Sequence, residues 1–327
     1  MEAAGLPIES RFDMYDSLEN EDDLSKLYET LSSVKDKYGN PAVFTAMTVP
    51  ANIDFEKVLD SGYQDYYYEP LPITFGKLKG YNKVWDLWKE GIRLKLLIPQ
   101  FHGREHLNLR AFKHLLSIQD KNTRTALENR SFSSFSKHSL RGISTSLSFD
   151  FECFNENKEL SEIIIDGLNL FETVFGCRAS HFNPPGNSIH SYLYEILAQN
   201  GIKYIDTALV KKEHQGNLKY KRNLNFTGKI NKHNQVFLVR NCVFEPTEKT
   251  GFDWVNYTIK QIRNAFFWGC PAIISSHRVN FCGNIDECNR KLGLDELKKL
   301  LKKIVASWPD VEFMSADMLG QSIEINA

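Results

Sequence analysis

The chain has 327 residues, 42% of them hydrophobic, enough to bury one large core. Lys and Arg total 40 against 41 for Asp and Glu, and the formal net charge of −1 argues against nucleic-acid binding through a basic surface. No run of about 18 apolar residues predicts a membrane span, the opening MEAAGLPIES lacks the basic and apolar regions of a secretory signal, and six cysteines without a CxxC spacing read as reduced thiols, so a cytoplasmic protein is expected.

The elements follow in chain order. After a polar, irregular opening, EDDLSKLYETLSSVKDKYG predicts a helix: acidic residues fill its first turn, Leu24, Leu27 and Leu31 share a face, and Gly39 stops it. PAVFTAMTV (Pro41–Val49) predicts a strand, VWDLWKEGI a helix and LKLLIPQ (Leu94–Gln100) a buried strand. HLNLRAFKHLLSIQ predicts a third helix, and GISTSLSF (Gly142–Phe149) a weaker strand. KELSEIIIDGLNLFETVFG is a long amphipathic helix ending at Gly176, followed by the strand RASHFN, the helix IHSYLYEILAQNG and the strand IKYIDTA. A lysine-rich excursion, Lys211–Gln235, reads as an inserted loop or hairpin. VFLVRN resumes a strand, then come the helix DWVNYTIKQIRNAFFWG, the strand PAIISSH, the helix LDELKKLLKKIVASW and a last strand, VEFMSA. Such alternation means a single α/β domain over residues 1–327 with a largely parallel sheet, and six or more units make a (β/α) barrel more economical than an open sheet.

In parallel α/β folds the chemistry gathers where strands end. Here strand ends carry FHGREH, NPPGNSIH, NCVFEP and SHRVNF, and three of the four hold histidine although the chain has only nine. His102 and His106 are four residues apart. If the helix begins near Gly103, both rings fall on one side of its first turn, where two imidazoles suit a divalent cation such as zinc; the plainer alternative is a pair of loop histidines, one bonded to Glu105. In FNPPGNSIH, two prolines and a glycine set a rigid turn that presents Asn183 and His190, as a cleft wall or simply as a connection. In PAIISSHRVNF, an apolar strand ends in His277, Arg278 and Asn280: an acid to protonate a leaving group, a cation to hold a carboxylate or oxyanion, and a polar neighbour. Glu245 and Trp254 lie near the end of the VFLVRN strand, the one a candidate carboxylate, the other a ring that suits a sugar face.

Three motifs in this order, HGREH, FNPPG and IISSH, resemble the polysaccharide deacetylases, metal-dependent carbohydrate esterases on a distorted (β/α) barrel, across roughly Ala42 to Phe313. The resemblance implies metal-dependent hydrolysis of N- or O-acetyl groups on a glycan, with His102 and His106 on a divalent metal, zinc being the expected one, His277 as acid, and Asn183, His190, Arg278, Asn280, Glu245 and Trp254 toward substrate. Two departures stand out. Asn183 occupies the place where the family carries arginine before proline, and no opening strand bears the family's aspartate pair; Asp13, Asp16, Asp22 and Asp23 lie in polar or helical context. The barrel is therefore expected to be incomplete at its amino end, with weak or absent deacetylase activity. The alternatives are a non-catalytic carbohydrate-binding relative and a glycoside hydrolase using Glu245.

Overall fold

The computed structural model describes all residues except Met1, Glu9, 133–139, Arg141, Gly142, Leu218 and Ala327; His138 and the first residue of the strand expected at Gly142–Phe149 lie outside the described residues. In chain order the strands are β1 (Phe44–Thr48), β2 (Ala51–Ile53), β3 (Tyr68–Pro70), β4 (Leu97–Phe101), β5 (His181–Phe182), β6 (Tyr204–Asp206), β7 (Val210–His214), β8 (Tyr220–Leu224), β9 (Val236–Leu238), β10 (Cys242–Val243) and β11 (Ile274–Ser275). A five-stranded parallel sheet runs β1-β4-β5-β6-β9, and β10 pairs in parallel with β11. Among the described residues no ladder joins β9 to β10 or β11 to β1. The fold is thus mixed α/β with a parallel sheet, and the expected closed cylinder is not seen. β2–β3 and β7–β8 are antiparallel pairs at its margins.

Alternation along the strands divides the core. Phe101, Phe182, Ile205 and Phe237 share one face and pack under the helices Asn157–Phe175 and Tyr194–Gln199. Tyr204, Val236 and Leu238 point the other way, onto Ala316, Leu319 and Ile323 of the carboxyl-terminal helix Ala316–Asn326. Gly320 permits that approach, since a Cβ there would lie 2.3 Å from the Tyr204 ring. The largest apolar cluster joins the helices Glu21–Ser32, Val84–Arg93, Trp254–Phe267 and Glu287–Ser307.

The structure corrects three sequence expectations. The third helix starts at Leu109, because Asn108 accepts from the Ala111 N–H and caps it there; His102 and His106 sit in the preceding loop, not on a first helical turn. The residues of GISTSLSF described here form turns, and their polar groups serve the same loop: the Thr145 carbonyl accepts from the Asn108 N–H at 2.7 Å and the Ser148 hydroxyl donates to the Glu105 carbonyl at 3.0 Å. VEFMSA joins no ladder: the Asp36 carboxylate takes the Phe313 N–H at 3.1 Å, and Ala316 already opens the carboxyl-terminal helix. The helix Asn157–Phe175 does end at Gly176, whose φ of 71° is left-handed, as expected of that glycine. All six cysteines are free, with Cys242 and Cys282 buried. No described helix is long and apolar enough to cross a membrane.

Candidate functional site

At the end of β4 the His102 N–H still donates to the Thr48 carbonyl of β1, 2.9 Å away. The chain then reverses through Gly103 at φ +105°, a conformation that strains other residues, and brings the His106 ring within 5.1 Å of the His102 ring. His102 Nδ1–H donates to the Asn183 carbonyl beyond β5, at 2.6 Å. A carbonyl can only accept, so this bond fixes the tautomer and leaves Nε2 with its lone pair. Burial first, and the neighbouring His106 second, bring the His102 pKa down to about 3. His106 is also lowered, by burial first and then by His277. The pair is therefore neutral near pH 7, the form in which imidazole binds a cation.

His277 in turn acts electrostatically on His106. His277 follows β11; its Nδ1–H donates to Glu245 Oε1 at 2.6 Å, while the ring remains half exposed, 56% for the side chain. Glu245 follows the neighbouring strand β10 and is buried. Its other oxygen accepts from Arg11 and, at 2.7 Å, from Asn280 Nδ2. Burial by itself raises the Glu245 pKa, but the bonds from His277, Arg11 and Asn280 outweigh it and hold the carboxyl below its usual range. Asn280, fully buried, accepts on Oδ1 from Arg11 and from the Thr247 N–H and hydroxyl. Its role on this geometry is to position Glu245. The arrangement is a carboxylate–imidazole dyad with Nε2 turned away from the carboxylate, equipped to give or take a proton.

Arg11 comes from the polar opening, which sequence patterning left unassigned. Ser10 and Asp13 form a capping box on the short helix Arg11–Tyr15, and the Phe12 ring meets the His277 ring edge-on at 5.5 Å. Arg278 pairs with Asp16 and Glu19 and so fastens this segment. Asp22 and Asp23 pair with Arg290. None of the four aspartates weighed from the sequence is bonded to the imidazole pair: Asp13 caps, and the other three meet arginines.

Asp206 and Arg240 also belong near the site, since both act electrostatically on His102. Asp206, ending β6, pairs with buried His181 at 3.0 Å and with Arg240 at 3.6 Å. Arg240 donates to the Ser275 hydroxyl at 3.0 Å and reaches Asn187 Oδ1 at 3.4 Å. An aspartate closing the apolar strand IKYID was a visible signal; it is missed when only histidine-bearing strand ends are weighed. Asn183 is 4% exposed and its Oδ1 has no partner among the described residues.

The remaining candidates separate from this group. His190 caps the turn Ser191–Leu193 and lies 3.7 Å from Glu213, in a cluster with Phe151 and Phe154. Trp254, 7% exposed, opens the helix Trp254–Phe267, so its ring faces are largely covered. Glu105 bonds Arg104 and Tyr66 rather than either histidine. Among the described residues no three of His, Cys, Asp or Glu gather to hold a metal ion. What the site offers a cation is the imidazole pair, and the bond that frees His102 Nε2 is the kind that orients metal-binding histidines.

No family model and no curated protein matches the sequence. Solved structures do. A candidate glycoside hydrolase/deacetylase from Parabacteroides distasonis matches with a TM-score of 0.52 at 10% identity, covering 93% of this chain and 63% of that one. A candidate polysaccharide deacetylase from Mycobacterium smegmatis matches at 0.47 and 11% identity, covering 93% and 77%, and the α-amylase AmyC from Thermotoga maritima at 0.39 and 9%, covering 94% and 66%. This chain therefore spans under two thirds of the Parabacteroides chain, and at such identities the likeness concerns the fold: an α/β architecture with a parallel sheet that this chain shares with the Parabacteroides protein.

Proposed function

We propose that the chain is a carbohydrate-directed acyl hydrolase, acting on N- or O-acetyl groups of a glycan. The observation that carries the reading is the half-exposed His277, held at Nδ1 by the buried Glu245 and within electrostatic reach of the His102–His106 pair, at the ends of parallel strands. His277 Nε2 takes a proton from the attacking water as the new acyl C–O bond forms, and returns it to the departing amine or alkoxide as the acyl bond to that group breaks. Glu245 keeps the ring in one tautomer and orientation, and Arg11 and Asn280 hold Glu245.

A divalent cation belongs to this reading. His102 and His106 would hold it, and when bound it supplies Lewis acidity to the acyl oxygen. Catalytic zinc sites usually have three protein ligands; with two imidazoles, weak metal retention and slow turnover are expected. A glycosidase role for Glu245 is disfavoured because both of its oxygens are engaged and its pKa is lowered, which is the wrong direction for a general acid.

The test is acetate release from acetylated chito- and xylo-oligosaccharides, with zinc or cobalt added, by wild type and His277→Gln. Loss of at least about 100-fold in the variant is expected. Equal rates refute the role of His277. No release by wild type on any acetylated glycan replaces the enzyme with a non-catalytic relative. Equilibrium dialysis with zinc checks the cation separately: His102→Ala and His106→Ala should each abolish uptake.

A further inference from the structure

A cavity of about 500 Å³ opens beside the loop that carries Glu245, lined by Val243, Glu248, Lys249, Phe252, Trp254 and Tyr257. Its volume falls in the range of small-molecule sites. The Glu248 N–H donates to the Glu245 carbonyl at 2.9 Å, so the turn that sets the dyad's carboxylate also sets the rim of the cavity. Three rings line it edge to face: Phe252 and Trp254 with centroids 4.8 Å apart, Phe252 and Tyr257 5.3 Å, Trp254 and Tyr257 5.7 Å. Rings packed by their edges leave faces open, and here Phe252 is 37% and Tyr257 42% exposed. One further feature points to a ligand. The rim carries one carboxylate, Glu248, and one ammonium, Lys249, whose Nζ stands 5.6 Å from the Phe252 ring. The charges balance, which suits a neutral ligand with many hydroxyls rather than an anion or a cation.

We propose that this cavity is a subsite for a neutral pyranose ring of the glycan, at a position other than the reacting sugar; this rests on the carbohydrate-directed reading above. The apolar C–H face of the sugar stacks on Tyr257 and Phe252. Glu248 and Lys249 take its hydroxyls. Because the cavity and Glu245 share one loop, a substrate reaching both spans more than one ring. Affinity and rate then rise with oligosaccharide length, and a monosaccharide is a poor substrate.

The experiment measures binding of N-acetylglucosamine and its di-, tri- and tetrasaccharide to the full chain by calorimetry, using wild type, Tyr257→Ala, Phe252→Ala, Glu248→Gln and His277→Gln. Thermal unfolding of each variant confirms that it is folded, and Glu248→Gln keeps the test decisive if an aromatic variant is not. Wild type should bind the longer oligomers more tightly than the monosaccharide. Tyr257→Ala should flatten that dependence with about tenfold weaker tetrasaccharide binding, while His277→Gln retains it. Length dependence unchanged in Tyr257→Ala, Phe252→Ala and Glu248→Gln overturns the subsite even if acetate release establishes the hydrolase. Tetrasaccharide binding that needs Tyr257, in a chain that releases no acetate, supports the subsite while the hydrolase reading fails. No binding of any oligomer by wild type overturns the subsite.

Discussion

Arg11→Met tests whether the opening segment truly anchors the dyad. Arg11 and Glu245 form an ion pair with side chains 13% and 5% exposed. Removing one partner of a buried pair costs about 3–5 kcal/mol, because the other charge is left in a poor dielectric. Glu245 keeps His277 and Asn280, and Asn280 keeps Thr247, so the low end applies, about 3 kcal/mol. With an unfolding entropy of about 2.1 cal/mol/K per residue over 327 residues, that free energy lowers the thermal midpoint by about 4 °C. The assay is thermal unfolding at pH 7.5 of wild type, Arg11→Met, Glu245→Gln and the double variant. If the cost is an unpaired Glu245 carboxylate, neutralising that carboxylate first should reduce the effect of Arg11→Met to under about 1 kcal/mol. A midpoint shift below 1 °C, or strictly additive single effects, refutes the reasoning.

Glu245→Gln should lower acetate release about 100-fold with little change in KM, since the change disturbs the proton donor more than substrate contacts; a pure KM effect contradicts this. Acid should weaken the fold through His102: its folded pKa of about 3 lies below the ordinary 6.5, so the unfolded chain takes up the proton first, and this stabilisation is complete above pH 6.5 and is lost as pH falls toward 3. Urea midpoints should fall between pH 7.5 and 4, with a shallower slope in His102→Asn; wild-type stability rising on acidification is the contrary result. Gly293→Ala should destabilise by about 1–3 kcal/mol despite alanine's better helix propensity, because a Cβ there would lie 1.8 Å from the Asn280 carbonyl oxygen, and backbone cannot step aside as a side-chain tip can; an unchanged thermal midpoint contradicts it.

Much of the architecture is legible because it is periodic. The apolar spacing of Leu24, Leu27 and Leu31 and the stop at Gly176 need only local chemistry, and the structure puts those leucines in the core. What fails is set by distant partners. VEFMSA has strand-like composition, but its Phe313 N–H goes to Asp36, 277 residues away. Arg11 finds Glu245 across 234 positions, and nothing in ESRFDMYD announces it. The helix start at Leu109 is a different kind of miss: Asn108 is a strong capping residue, and the signal was local, masked by the appeal of placing HxxxH on a helix.

The topology explains how the site assembles despite these distances. Adjacent parallel strands bring their carboxyl ends side by side, so β4 and β5 set His102 against the Asn183 carbonyl, and β10 and β11 set Glu245 against His277. The two sheets are not joined by a ladder, and the imidazole pair stands on one while the dyad stands on the other. Their relative placement therefore depends on packing, on the Arg240–Ser275 bond and on the opening segment. That segment bonds to the second group through Arg11 and Arg278, and Tyr81 donates to the Leu18 carbonyl and Trp88 to Glu19, both from the region just ahead of β4. Residues 10–19 thus bridge the two halves of the site, which is why loss of a single guanidinium there is expected to reach the chemistry as well as the stability.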